Sequence, residues 1–191
     1  KSFKQVVSKA KYSEFRDPED HVNLVKTLVQ KGDATQASGV IRDLERSMRG
    51  NPNVDACKAI SVAMLHEAAG NSAAAVNELN NAVGAVRTSS GLSSKLRIGL
   101  AESCLAHKLD QGASEVMLSV MNDAKSGVST QQAMSVFVKA GRPDLADGMG
   151  AQLKAQAQIL LGVAAEKANM GDVKGAVQSL LEAMHMSPGN Q

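Results

Sequence analysis

The stretch Ala157-Gln-Ile-Leu-Leu-Gly-Val-Ala-Ala-Glu-Lys-Ala-Asn-Met-Gly-Asp-Val-Lys-Gly-Ala-Val-Gln-Ser-Leu-Leu-Glu-Ala-Met-His-Met-Ser-Pro188 carries two apolar-periodic runs. Gly171-Asp172 separates them, and the second stops at Pro188. A glycine just past one helix accepts the left-handed conformation that closes it. An aspartate at the mouth of the next can accept from the amides that open it. The stretch therefore predicts two helices joined by a tight turn. Small residues stand where the two must approach, Ala164 in the first and Ala176 in the second, with Leu160, Leu180 and Ala183 completing the pattern.

The same signals recur upstream. Asp17-Pro18 opens a helix whose apolar face is Val22, Leu24, Val25, Leu28 and Val29. Gly32-Asp33 turns the chain into a second helix with Ala37, Val40, Ile41 and Leu44, and Gly50-Asn51-Pro52 closes the pair. Asn53 to Ala69 is the next first helix, with Ala63 at its small position; Gly70-Asn71 turns into a helix with Ala75, Leu79 and Ala82. A loop follows at Thr88-Ser89-Ser90-Gly91. A helix from about Ser94 to Lys108, with Leu100 and Ala101, meets a turn at Leu109-Asp110 that lacks glycine, with Asp110 as the expected cap. Ala113, Met117 and Val120 continue beyond it, and Ser126-Gly127 breaks the run. Ser129 is the expected cap of a helix with Ala133, Met134, Phe137 and Val138, and Gly141-Arg142-Pro143 turns into the next. No breaker follows until Gly171. Either a tight turn lies near Gly148 or Gly150, or one long helix runs from about Pro143 to Met170, with a bend expected at the glycines.

The second-helix alanines Ala37, Ala75, Ala113, Ala146 and Ala176 are spaced by 38, 38, 33 and 30 residues. Four of the five have glycine five residues earlier: Gly32, Gly70, Gly141 and Gly171. This combination resembles the tetratricopeptide repeat, a two-helix unit of about 34 residues. With Pro188 as the closing proline, Ala164, Gly171, Ala176, Leu180 and Ala183 fall on the family's small, glycine and large apolar positions. Leu160 and Lys167 replace its usual tryptophan and tyrosine.

The resemblance implies an all-α, TPR-like α-solenoid of about five helix–turn–helix hairpins, in one domain over residues 1–191. Units fall at about 18–52, 53–91, 92–127, 128–156 and 157–188. A leading helix, Lys1 to Arg16 in a segment 1–17, would belong to a truncated preceding unit; its basic residues are expected to be a solvated face. Each hairpin needs its neighbours to bury its apolar sides, and small residues allow close approach. Ala176→Leu is thus expected to overpack the contact, at about 1–3 kcal/mol.

Composition agrees with helices at close range. The 191 residues are 43% apolar but only 2% aromatic, with no tryptophan, so alanine, leucine, valine and methionine must fill the core. A net charge of +2 gives no basic stripe for nucleic acid. No apolar run approaches the roughly 20 residues of a membrane span. Cys57 and Cys104 lie far apart in helical runs and are read as buried small hydrophobes; with no disulfide framework, a reducing, cytoplasmic setting is expected. The chain opens on Lys1 without a signal peptide and reads as a piece of a longer protein.

No catalytic or metal-binding pattern emerges: the chain is expected not to be an enzyme and to use no cofactor or metal. His21, His66, His107 and His185 lack the helical spacing of a zinc site and are read as surface or groove-edge residues. The family's first helices line a concave groove for peptides or partner helices. By position, that groove would comprise Val22 and Lys26 in the first unit and Ile60, Met64 and Glu67 in the second. Lys95, Ile98 and Glu102 would follow in the third, and Gln131, Ser135 and Lys139 in the fourth. Among the nine methionines, Met64, Met117, Met121, Met134, Met184 and Met186 mostly fall at core spacing and are read as core filling; Met64 is the groove candidate. The lysine, asparagine and arginine clamp with which some members hold a chaperone's C-terminus is not recognisable. The runs Phe15 to Leu44 and Leu161 to Ala183 also resemble the repeat region following a receiver domain in some bacterial response regulators. The implied role is a protein-interaction scaffold within a larger signalling protein. A cell-envelope scaffold, or a spacer that self-associates into homo-oligomers, is the alternative.

Overall fold

The computed structural model describes residues 15, 17–123 and 125–187. The leading helix expected over Lys1 to Arg16 lies, Phe15 apart, outside them, as does Pro188. The described residues are all-α, with no strand among them. Nine helices follow in order: α1 Pro18–Gln30, α2 Ala34–Ser47, α3 Val54–Ala68, α4 Ser72–Val86, α5 Ser94–Ala106, α6 Asp110–Met121, α7 Thr130–Lys139, α8 Pro143–Asn169 and α9 Val173–Met186. The chain divides into two compact units, one ending at Leu92 and the other beginning at Ser93.

Five corners share one backbone design. In each, the residue before the helix cap donates to the carbonyl three residues back: Gly32 to Val29, Gly70 to Glu67, Lys108 to Leu105, Gly141 to Val138 and Gly171 to Ala168. The cap residue donates five back, Asp33 to Leu28, Asn71 to His66, Leu109 to Cys104, Arg142 to Phe137 and Asp172 to Lys167, at 2.8–2.9 Å. These bonds satisfy carbonyls that a helix end leaves open. The alanines at 37, 75, 113, 146 and 176 each donate to the cap carbonyl and so begin the next helical ladder.

The corner needs a left-handed residue. Gly32, Gly70, Gly141 and Gly171 supply it at φ between 72° and 81°. At the third corner Lys108 takes that conformation, at φ 60°, against the steric preference of a side chain with a Cβ. The cap there is Leu109, with no side-chain bond, so Asp110 is not the cap. It stands at the first helical position instead, where its carboxylate pairs with Arg142. Elsewhere the expected caps are in place. Asp33, Asn71 and Asp172 accept from Gln36, Ala74 and Gly175. Ser129 and Gln132 form a reciprocal capping box, and Pro18 and Pro143 occupy first-turn positions.

In the first unit, α1 packs on α2 and on α3, and α3 packs on α4. Val25, Leu28, Ala37, Val40 and Ile41 form one buried cluster, flanked by Leu24, Val29, Val62 and Leu65. The loop after α4 returns to the start of α3, where the Ser90 amide donates to Asn53 Oδ1 at 3.1 Å. In the second unit, α5 packs on α6, and α8 packs on both α7 and α9.

No turn interrupts α8. Its 27 residues run through Gly148 and Gly150, so the boundary at residue 156 falls inside a continuous helix. At about 1.5 Å per residue α8 is roughly 40 Å long, close to the combined roughly 36 Å of α7 and α9. The two short helices lie along it in succession: Thr130 Oγ1, opening α7, donates to the carbonyl of Met186, ending α9, at 3.1 Å. A Cβ on Gly150 would stand 3.3 Å from Met134 Cε, so this glycine admits the α7 side chain. Packing along both halves offsets the cost of two glycines in the helix interior, about 1 kcal/mol each.

Candidate interaction surface

Each expected first-helix stripe sits on one helix, at spacings that keep its members on one side. In the first unit α1 carries Val22 and Lys26, and α3 carries Ile60, Met64 and Glu67. Val22 is 2% exposed and Ile60 4%. Both belong to the core and have almost no surface to offer a partner. Lys26 and Glu67 are exposed and Met64 is half-buried, so the accessible part of this unit's stripe is polar around one methionine.

In the second unit α5 carries Lys95, Ile98 and Glu102, with both charges exposed and Ile98 half-buried. Seven residues along a helix span about 10 Å, so the cation and the anion stand two turns apart with an apolar side chain between them. On α7, Gln131 and Lys139 are exposed, while the Ser135 hydroxyl is turned back to the Gln132 carbonyl at 2.7 Å. These stripes combine exposed charges of both signs with a few half-buried apolar side chains.

Other polar groups are committed to structure. His21 is fully buried, not the surface or groove-edge residue that its lack of metal-site spacing suggests. Its ring lies 3.4 Å from Asp43 Oδ2 on α2 and edge-on to Phe15. Arg97 is also buried; it donates to the Ser119 carbonyl at 2.7 Å and pairs with Asp123. The guanidinium's hydrogen bond holds the Asp123 carboxyl below its ordinary value. Arg142 pairs with Asp110 and Asp144, which ties the start of α6 to the start of α8. Its hydrogen bond lowers the Asp144 pKa. Lys58 pairs with Glu45 between α3 and α2, and its pKa is raised by that bond.

Cys57 and Cys104 are free and buried. Burial first, and then the carboxylates of Glu19 and Asp17, push the Cys57 thiol up to about 12. It stays protonated at neutral pH, and a thiol in that form is a poor nucleophile and a poor metal ligand. Among the described residues no group of three or more His, Cys, Asp or Glu side chains could hold a metal ion. No helix among them is long and apolar enough to cross a membrane.

The surface that sequence reasoning missed lies on α9. Val173, Val177, Leu180, Leu181 and Met184 are between 42% and 69% exposed. The visible signal was that apolar residues occupy more of this helix than one packing face needs. Of the methionines expected mostly in the core, Met117 and Met121 are fully buried, whereas Met184 is 52% exposed.

The chain matches no family model, no curated protein and no solved structure.

Proposed function

We propose that this chain is a non-catalytic protein-interaction scaffold, a TPR-like solenoid whose first helices bind a peptide or helix from another protein. The single observation that carries this reading is the five-fold recurrence of one helix–turn–helix corner, down to the same two backbone hydrogen bonds. A chain that repeats one hairpin extends a surface without concentrating reactive groups, and stacked hairpins serve such binding. The stripe on α5 is the preferred contact, because Lys95 and Glu102 are exposed on either side of Ile98. It would select a partner with the opposite order of charges. The wider role, as part of a bacterial response regulator acting in the cytoplasm, rests on the sequence resemblance alone.

The test is to select peptides from a random library on the immobilised chain and measure their affinity by calorimetry. Reversing both charges, with Lys95→Glu and Glu102→Lys, should weaken selected peptides at least tenfold and leave the thermal melt in place. Unchanged affinity would remove the α5 stripe from the binding surface.

A further inference from the structure

We infer that the α8–α9 hairpin carries a self-association face, through which two copies of this chain pair about a two-fold axis. The argument starts from the angular positions on α9, at 100° per residue. Ala176, Ser179 and Ala183 are buried and share one side, the side that packs on α8. The exposed Val173, Val177, Leu180, Leu181 and Met184 share another, turned by about 110°. The helix thus has a second apolar side that its own hairpin does not use.

The neighbouring helix extends that side. Right-handed helices running in opposite directions place Leu161, Ala165 and Ala168 of α8 on the same flank as this α9 stripe. All three are exposed. The carboxylates Glu166 and Glu182 fall on the opposite flank by the same construction. The result is a two-helix apolar face without an acidic group, and its two alanines leave a shallow groove between the ridges.

Equivalent positions show what this face lacks. Four residues past the second-helix alanine, Ile41 is 6% exposed, Leu79 1% and Met117 0%, whereas Leu180 is 42% exposed. The occupant we assign is a second copy of the same face, and the area supports it. Six large side chains at about half exposure and two alanines present on the order of 600–700 Å², above the largest apolar patch of a typical monomer. Two such faces together would bury roughly 1,300 Å², within the range of specific, stable interfaces. A face that meets itself across a two-fold is self-complementary by construction. This inference does not depend on the α5 stripe.

The test uses the full chain in sedimentation velocity and light scattering from about 1 to 100 µM. A dimer that dissociates on dilution is expected. Val177→Asp with Leu180→Asp should leave a monomer with an unchanged circular dichroism spectrum, because both positions are exposed. Leu180→Cys, on the paired face, should give a covalent dimer under mild oxidation; the native thiols are buried and should not compete. A chain that stays monomeric at 100 µM overturns the proposal. So does a dimer untouched by the double aspartate variant, or a monomer that instead binds an apolar helical peptide on this face.

Discussion

The hairpins α3–α4 and α8–α9 turn the same corner. Gly70-Asn71 and Gly171-Asp172 make the same two backbone bonds, and each cap side chain reaches the amide three residues on. Ala75 and Ala176 then begin the second helix, and Leu79 and Leu180 follow at the same offset. There the likeness ends: Leu79 is 1% exposed and Leu180 is 42%. Residues within six of one another make the corner, so its chemistry travels with the motif. Burial depends on what closes over the helix, and that differs between the two.

The largest test of this difference is truncation of the two leucines. Leu79→Ala should cost about 2–5 kcal/mol in urea unfolding, the range for emptying a packed core site. Leu180→Ala, in dilute solution, should stay within about 0.5 kcal/mol, as exposed substitutions do. Equal losses would erase the contrast.

The alanines should behave alike, because both face the partner helix of their own hairpin. Ala75 is wholly buried and Ala176 nearly so. Ala75→Leu and Ala176→Leu should each lose about 1–3 kcal/mol through overpacking. A loss at Ala75 alone, measured by thermal melts, would mean that the α8–α9 contact yields more easily.

The corners come next. Gly70→Ala and Gly171→Ala should each cost about 1 kcal/mol, since the left-handed conformation penalises a Cβ while the space around both sites is open. Lys108→Gly should act in the opposite sense and stabilise by about 0.5–1 kcal/mol. A destabilised Lys108→Gly variant would show that the lysine side chain contributes more than its backbone strain costs.

The smallest expected effect separates the two glycines of α8. Gly148→Ala meets nothing within 4 Å and should stabilise by about 0.5–1 kcal/mol. Gly150→Ala places its methyl against Met134 and should gain less. Equal gains would show that Met134 moves aside freely.

Much of this organisation was legible in the residues. Asp17, Asp33, Asn71, Ser129 and Asp172 announced helix starts because a side-chain oxygen and a nearby amide suffice to make a cap. Lys108 was not legible as a left-handed residue: lysine has no preference for that conformation, and only the two helices it joins hold it there. The same holds for the uninterrupted α8. Gly148 and Gly150 weaken a helix locally, and the packing of α7 and α9 along its length sustains it. Val22 and Ile60 match the stripe spacing as well as Lys26 and Met64 do, yet lie inside. Periodicity shows which residues share a side without showing which way that side points.

The helical type of the elements, five of their side-chain caps and four of the five left-handed corner residues follow from short-range chemistry, and such chemistry is written in adjacent residues. The burial of His21, the path of α8 and the uncovered side of α9 arise only when distant helices meet. Contact energies there depend on which surfaces are already occupied, and a linear pattern carries no record of that.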